Sequence, residues 1–163
     1  MKTKHIVRIF IFSSLLPFIS GCVASGPQFK PVESFSVDNA LVYLYRPNKF
    51  KGGGIVPPVF VNDKELFDLP NDGYAEILLP PGKHVIETRT DGNFLISDAV
   101  GSAEIEVEVG RTYYIKWLPF LADFGIVPLA TPVAYGYFKG TFYPMDEQHA
   151  LVELKECKKV YPK

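Results

Sequence analysis

The clearest pattern in the chain is the strict alternation Ala103-Glu104-Ile105-Glu106-Val107-Glu108-Val109. Successive side chains of a β-strand point to opposite faces of a sheet, so this order predicts a strand with one apolar face and one acidic face in water. The regular glutamates could also suggest a cation site. Hard cations need oxygen ligands that converge from several directions, so we interpret the row as a solvated face. The stretch therefore predicts a half-buried β-sheet.

Apolar runs that precede this strand extend the sheet. Ala40 to Arg46 is rich in β-forming residues, ends before Pro47 and is apolar in both alternate sets, which predicts an interior strand. Val59-Phe60-Val61 and Leu66-Phe67-Asp68-Leu69 flank Asn62-Asp63-Lys64-Glu65, whose first two residues tolerate turn conformations. This arrangement predicts a β-hairpin.

Two further hairpins are predicted from turn residues. Pro80-Pro81-Gly82-Lys83 has proline before glycine at its two central positions, which is the type II signature. A hairpin closed on this loop places Leu79 opposite His84. The loop Gly110-Arg111-Thr112 predicts another hairpin, between the alternating strand and Tyr113 to Trp117.

The segment from Leu118 to Phe138 is long, apolar and aromatic, with Asp123 as its only charge. Three prolines within it argue against a spanning helix. One interpretation is a loop packed under the sheet, followed by a strand from Val133 to Phe138. The other is an exposed apolar patch that contacts a partner or the membrane. The candidate contact residues are Trp117, Phe120, Leu121 and Phe124.

An amphipathic helix is predicted near the end of the chain. Asp146 is a suitable N-cap, and apolar residues follow at helical spacing between Glu147 and Lys158. Lys155, Lys158 and Lys159 near its end would complement the helix macrodipole.

Composition bounds the class of protein and its partners. The formal charge of the whole chain is −1, and removal of the first 21 residues, with Lys2, Lys4 and Arg8, would leave −4. This balance disfavours a nucleic-acid partner. Fourteen prolines and thirteen glycines separate short apolar runs, as in a sheet protein with many turns.

The N-terminus predicts export and lipidation. A basic start is followed by a nearly continuous apolar run from Ile6 to Ile19, and the small residues Ser20 and Gly21 precede Cys22. This pattern resembles a bacterial lipobox and predicts a cleavable signal. Cys22 would then become N-palmitoyl and S-diacylglycerol cysteine, and several acyl chains make a stable anchor. A plain signal peptide or a short uncleaved anchor is the alternative.

These observations divide the chain into three parts. We expect a lipoprotein signal peptide over residues 1–21, a tether over 22–37 and one β-sandwich domain with a C-terminal helix over 38–163. The resemblance to lipoproteins of two-membrane bacteria, with Val23 rather than aspartate after Cys22, implies an outer-membrane location facing the periplasm.

The sequence shows no recognised catalytic or metal-binding constellation, and we predict neither an enzyme nor a cofactor or metal site. His84 and His149 lack the neighbours that zinc sites show. Cys157 is interpreted as a small buried apolar residue. Gly52-Gly53-Gly54 is followed by Ile55-Val56-Pro57-Pro58 rather than a helix, so a phosphate loop is disfavoured.

Four short motifs resemble an uncharacterised family of bacterial lipoproteins that carry a small β-sandwich related to PEGA-type domains. They are Tyr43-Leu44-Tyr45-Arg46, Val59-Phe60-Val61-Asn62-Asp63, Leu79-Pro80-Pro81-Gly82-Lys83-His84 and Gly110-Arg111-Thr112-Tyr113-Tyr114-Ile115. The resemblance implies a mainly β fold, an antiparallel PEGA-like or prealbumin-like sandwich, and no assigned activity.

The expected function is that of a lipid-anchored, non-catalytic binding or assembly module. Its expected partners are the membrane, through the anchor, and an unidentified envelope protein. The alternatives are a purely structural envelope component, a hydrolase that joins His84 to Glu87 or Asp68, and a carbohydrate-binding module with stacking aromatic rings.

Overall fold

The computed structural model describes residues 23–89, 96–127 and 133–163, and in the last two ranges it describes the side chains of 100–122 and 138–163. Within these ranges the chain forms nine strands and one helix. In chain order they are β1 (Ala40–Arg46), β2 (Pro58–Val61), β3 (Lys64–Asp68), β4 (Gly73–Leu79), β5 (Gly82–Thr88), β6 (Ile96–Val107), β7 (Thr112–Val127), β8 (Val133–Met145), α1 (Glu147–Leu154) and β9 (Lys158–Lys159). The protein is therefore mainly β with one short helix.

The sheet is centred on β1, whose seven residues are all buried. β1 pairs with β4 on one side and with β7 on the other. Ala40, Val42 and Leu44 belong to one core cluster, whereas Tyr43 and Tyr45 belong to another. The predicted interior strand is confirmed, and each of its two apolar faces packs into a different core cluster.

The sheet is mixed rather than purely antiparallel as expected. Its strand order is β3-β2-β5-β6-β8-β7-β1-β4-β9, and β1 with β7, β6 with β8 and β4 with β9 are parallel pairs. Residues from both ends of this order, such as Phe67 of β3 and Ile77 of β4, share the first core cluster. The sheet is therefore curled around one core.

Two predicted hairpins are wrong because their turns connect strands that are not neighbours in the sheet. Leu79 pairs with Ala40 of β1 instead of His84, and His84 pairs with Ile105 of β6. β6 and β7 also do not pair with each other; in the strand order β8 lies between them.

The β2–β3 hairpin is confirmed, with a shorter turn than expected. Asn62 and Asp63 form a two-residue connection with φ of 50° and 66°. Positive φ at both central residues is the requirement of a type I′ turn, and asparagine and aspartate tolerate this conformation better than most residues. The alternating strand is confirmed as far as Val107, with exposed Glu104 and Glu106 and buried Val107. β6 ends there, so Val109, which was expected on the apolar face, lies outside the strand and is exposed.

The outer face of β1, β4 and β7 is covered by α1 and the N-terminal segment. The predicted cap is confirmed, because the Asp146 side chain accepts a hydrogen bond from the His149 backbone N–H. α1 is shorter than predicted and has no basic residue in its last turn. Cys157 is buried and free, as expected.

Candidate functional site

The most unusual part of the sheet is a long hairpin built by β7 and β8. β7 pairs with β1 only as far as Lys116, but its antiparallel pairing with β8 continues to Val127. The expected loop packed under the sheet is therefore wrong for residues 118–127, while the strand expected from Val133 forms the start of β8. We call residues 118–127 and 133–141 the arm.

Pro119 fits this position because one edge of β7 is open there. Beyond Lys116 no strand pairs with that edge in the described part of the chain. Proline has no backbone N–H to give to a sheet ladder and is tolerated where a strand lies at an edge. The loop after β1 that contains Gly52-Gly53-Gly54, which we call the glycine loop, lies beside Pro119. A Cβ atom added to Gly52 would be 2.8 Å from the Pro119 side chain.

Both faces of the arm are exposed near its base. Phe120 is 46% exposed and Leu121 is 38% exposed. Consecutive strand residues point to opposite faces, so neither face of the arm is covered at this point. Phe120 pairs with Lys139, and Leu121 pairs with Phe138. Two of the four predicted contact residues are therefore accessible, one on each face of the arm.

Trp117 is not on that surface. It is fully buried in the core, and the Arg46 guanidinium lies 5.0 Å from the centre of its ring. The prediction that Trp117 is a contact residue is therefore wrong, and Trp117 is a core residue. The side chain of Phe124 lies outside the described residues.

Arg46, expected only as the last residue of the interior strand, has a structural role at the base of the arm. Its guanidinium donates hydrogen bonds to the backbone carbonyls of Gly52 (2.6 Å), Ile55 (2.5 Å) and Leu69 (3.2 Å). These bonds fix the glycine loop against the base of the arm. A signal was present, since a charged residue ends a strand that is otherwise apolar on both faces.

The N-terminal segment packs on the domain from Val23 onward rather than hanging free. Val23 forms a β-bridge with Asn71, and the Ala24 N–H donates to the Asn71 carbonyl at 3.1 Å. Phe29 contacts Tyr43 and Tyr74 edge-to-face, with ring centroids 5.3 and 5.1 Å apart. Cys22, the predicted lipidation site, lies outside the described residues and directly precedes this fixed segment.

The geometry around His84 is that of a structural residue. Its Nε2 lies 2.8 Å from the Pro80 carbonyl oxygen, which can only accept, so Nε2 carries the proton. Nδ1 then accepts from the Asn62 amide at 2.8 Å. Both ring nitrogens are thus used in holding the β4–β5 connection to the β2–β3 turn.

The carboxylates of the hydrolase alternative are directed elsewhere. Glu87 and His84 are three positions apart on β5 and so point to opposite faces, and Glu87 forms an ion pair with Arg89 at 2.5 Å. Asp68 pairs with Lys163 at 2.8 Å. The structure therefore does not assemble the predicted acid-base pair.

Cys157 is also unsuited to nucleophilic chemistry. Burial, with smaller contributions from Asp72 and Glu153, raises the pKa of its thiol to about 12. A thiol is nucleophilic as thiolate, which this pKa suppresses. The described residues contain no group of three or more histidine, cysteine or acidic side chains arranged to hold a metal ion.

A cleft of about 340 Å³ lies where β6 and β8 separate. The two strands pair only up to Val100 and Lys139. Beyond that point Ile105, Tyr113 and Phe142 are among the lining residues. The Tyr113 hydroxyl accepts a hydrogen bond from the Glu108 N–H at 2.9 Å. The lining is mainly apolar but includes Glu104 and Glu106.

A family model described as "Protein of unknown function (DUF2846)" matches residues 36–121. The match runs from the segment before β1 to Leu121, in the first part of the arm. No curated protein matches the chain. No helix in the described ranges has the length and apolar character needed to cross a membrane.

Proposed function

The chain belongs to the DUF2846 family of proteins of unknown function, and from that premise we propose that it is a lipid-anchored, non-catalytic binding or assembly module of the bacterial cell envelope. The arm is its contact surface. We further propose that its curled sheet is a variant of the PEGA-like sandwich, which is supported by the core cluster that strands from both ends of the sheet share.

The observation that carries the proposal is the exposure of Phe120 and Leu121 on opposite faces of the arm. Full burial of a large apolar side chain provides about 1.5–3 kcal/mol, and the partly exposed Phe120 and Leu121 forgo a share of it. In the described part of the fold, α1 and Phe29 cover the face of β1 that carries Tyr43 and Tyr45. Phe120 and Leu121 have no such cover. Contiguous exposed apolar surface marks contact sites, and we propose that this pair belongs to such a surface on the arm.

The proposed anchor is supported by the sequence before Val23. The basic start, the apolar run and the small residues before Cys22 are those of a lipoprotein signal. Val23 at the next position supports a location in the outer membrane, facing the periplasm. The packed segment that begins at Val23 would then hold the domain close to the lipid surface.

Two measurements on the protein from cells test the proposal. Mass spectrometry of the N-terminal peptide is expected to show diacylglycerol and a fatty acyl group on Cys22, and an unmodified thiol would refute the anchor. Replacement of the signal by one for soluble export separates binding from simple anchoring. If the arm provides the function, the released protein still binds its target in vitro, whereas a purely structural component has no target to bind.

The arm itself is tested with a matched pair of variants. Phe120→Ser with Leu121→Ser is expected to abolish crosslinking of position 139 on the arm to its target in cells. Val109→Ser, at a residue that is 51% exposed on the opposite end of the sheet, is expected to leave it unchanged. Equal crosslinking in both variants would refute the arm as contact surface.

A further inference from the structure

Two features that are distant in the sequence lie at one end of the sheet. β1 and β7 run parallel, so β7 continues into the arm at the end where β1 finishes. β4 begins at the same end, because Gly73 pairs with Arg46. Asn71, two residues earlier, forms the bridge with Val23. The chain therefore enters the described structure at the end from which the arm extends.

This end of the sheet also carries exposed aromatic and basic side chains. Phe50, in the loop after β1, is fully exposed, and its neighbours Lys49 and Lys51 are exposed as well. Lys139 is exposed beside Phe120 on the arm. Phe50 and Phe120 are the exposed phenylalanines among the described side chains, and both lie at this end.

From this arrangement we infer that the surface contacted by the arm is the lipid bilayer itself. The inference rests on the proposed function, because a lipid on Cys22 places Val23, and with it this end of the sheet, against the membrane. Lys49, Lys51 and Lys139 complement anionic headgroups, and phenylalanines bury favourably at the headgroup and acyl boundary.

The exposure of both faces of the arm favours lipid over a protein partner. Phe120 and Leu121 point to opposite faces, and the headgroup region contacts both faces of an arm that projects into it. A protein groove covers one face of a strand pair and supplies polar partners at its rim. The exposure of apolar side chains on both faces of the arm therefore favours contact with lipid over binding in the groove of a protein partner.

The contact is interfacial and does not span the bilayer. The edge of β7 beyond Lys116 lacks a strand partner among the described residues, and unpaired backbone groups are excluded from the hydrocarbon core.

The test places a fluorescent reporter on the arm of the full, acylated chain. The chain is reconstituted into vesicles of phosphatidylethanolamine and phosphatidylglycerol, with or without bromine on the acyl chains, which quenches nearby tryptophan. Phe120→Trp is compared with Val109→Trp, at the opposite end of the sheet. The native Trp117 is buried and contributes the same background to both. Quenching is expected to be severalfold stronger for Phe120→Trp.

The outcomes are separable from those of the proposed function. Equal quenching at both positions, or quenching at neither, overturns the inference. A photoreactive residue at position 120 that attaches to a protein in cells, with no quenching in vesicles, also overturns it and assigns the arm to a protein partner. Phe50→Trp repeats the test at a fully exposed loop residue, should substitution of Phe120 disturb folding. Acylation of Cys22 is read independently by mass spectrometry.

Discussion

The Arg46 guanidinium lies 5.0 Å from the centre of the Trp117 ring, and both side chains are fully buried. The pair joins the end of β1 to the strand that becomes the arm. A buried guanidinium requires hydrogen-bond acceptors, since charge removed from water is costly when it is not compensated. The carbonyls of the glycine loop provide them, so the loop, the strand end and the base of the arm form one unit.

This unit predicts a large loss of stability for Arg46→Met. The change removes charged hydrogen bonds to three carbonyls and leaves these acceptors buried, and it is expected to lower the free energy of unfolding by about 2–4 kcal/mol. Arg111→Met is the control, because the Arg111 side chain is 67% exposed and its loss is expected to cost less than about 0.5 kcal/mol. Urea unfolding measures both; equal effects would contradict the role assigned to Arg46.

Phe29 is predicted to hold the N-terminal segment on the sheet. Its ring is 9% exposed and packs edge-to-face on Tyr43 and Tyr74, so Phe29→Ala is expected to cost about 3 kcal/mol. The segment around residues 23–37 should then become sensitive to limited proteolysis.

The matched control for that prediction is Phe50→Ala. Phe50 is fully exposed, and its truncation is expected to change the free energy of unfolding by less than about 0.5 kcal/mol. Should Phe29→Ala leave both stability and the cleavage pattern unchanged, the N-terminal segment is not held by this contact.

Local patterns were sufficient to predict individual elements. The interior strand β1, the alternating strand β6, the hairpin at Asn62 and the cap at Asp146 each depend on residues within a few positions of one another. These features follow from the side-chain periods of strands and helices and from the chemistry of turns and caps.

Strand pairing was harder to predict from the sequence, because it depends on residues that are far apart along the chain. The turns at Pro80-Pro81-Gly82-Lys83 and Gly110-Arg111-Thr112 have hairpin chemistry, yet each connects strands that pair elsewhere. The burial of Trp117 under Arg46 is likewise a long-range contact. Phe29 was overlooked because its segment is otherwise rich in proline and serine and has no regular period.

Asp146 is predicted to make stability depend on pH in the acid range. Hydrogen bonds from the His149 backbone and side chain lower the pKa of this carboxyl below its ordinary value of 3.8. Because the pKa of Asp146 is lower in the folded than in the unfolded protein, its charged form stabilises the fold. This stabilisation is complete above the unfolded-state pKa and is lost as the pH falls through the folded-state pKa. Asp146→Asn keeps a good N-cap but removes the titration. Its stability, measured by thermal unfolding across this range, is expected to fall less on acidification than that of the native chain; parallel curves would show that Asp146 is not responsible.

Trp117 and Phe120, three positions apart on β7, are predicted to differ strongly in the stability that truncation removes. Trp117 is fully buried and Phe120 is 46% exposed, so Trp117→Ala is expected to cost about 3–5 kcal/mol and Phe120→Ala less than about 0.5 kcal/mol. Trp117 is the only tryptophan of the chain, and its emission should be blue-shifted and inaccessible to acrylamide until the protein unfolds. Phe120→Ala should retain this protected emission. If acrylamide quenches Trp117 in the folded protein, the residue lies at the surface and the distinction between core and arm at this point of β7 is wrong.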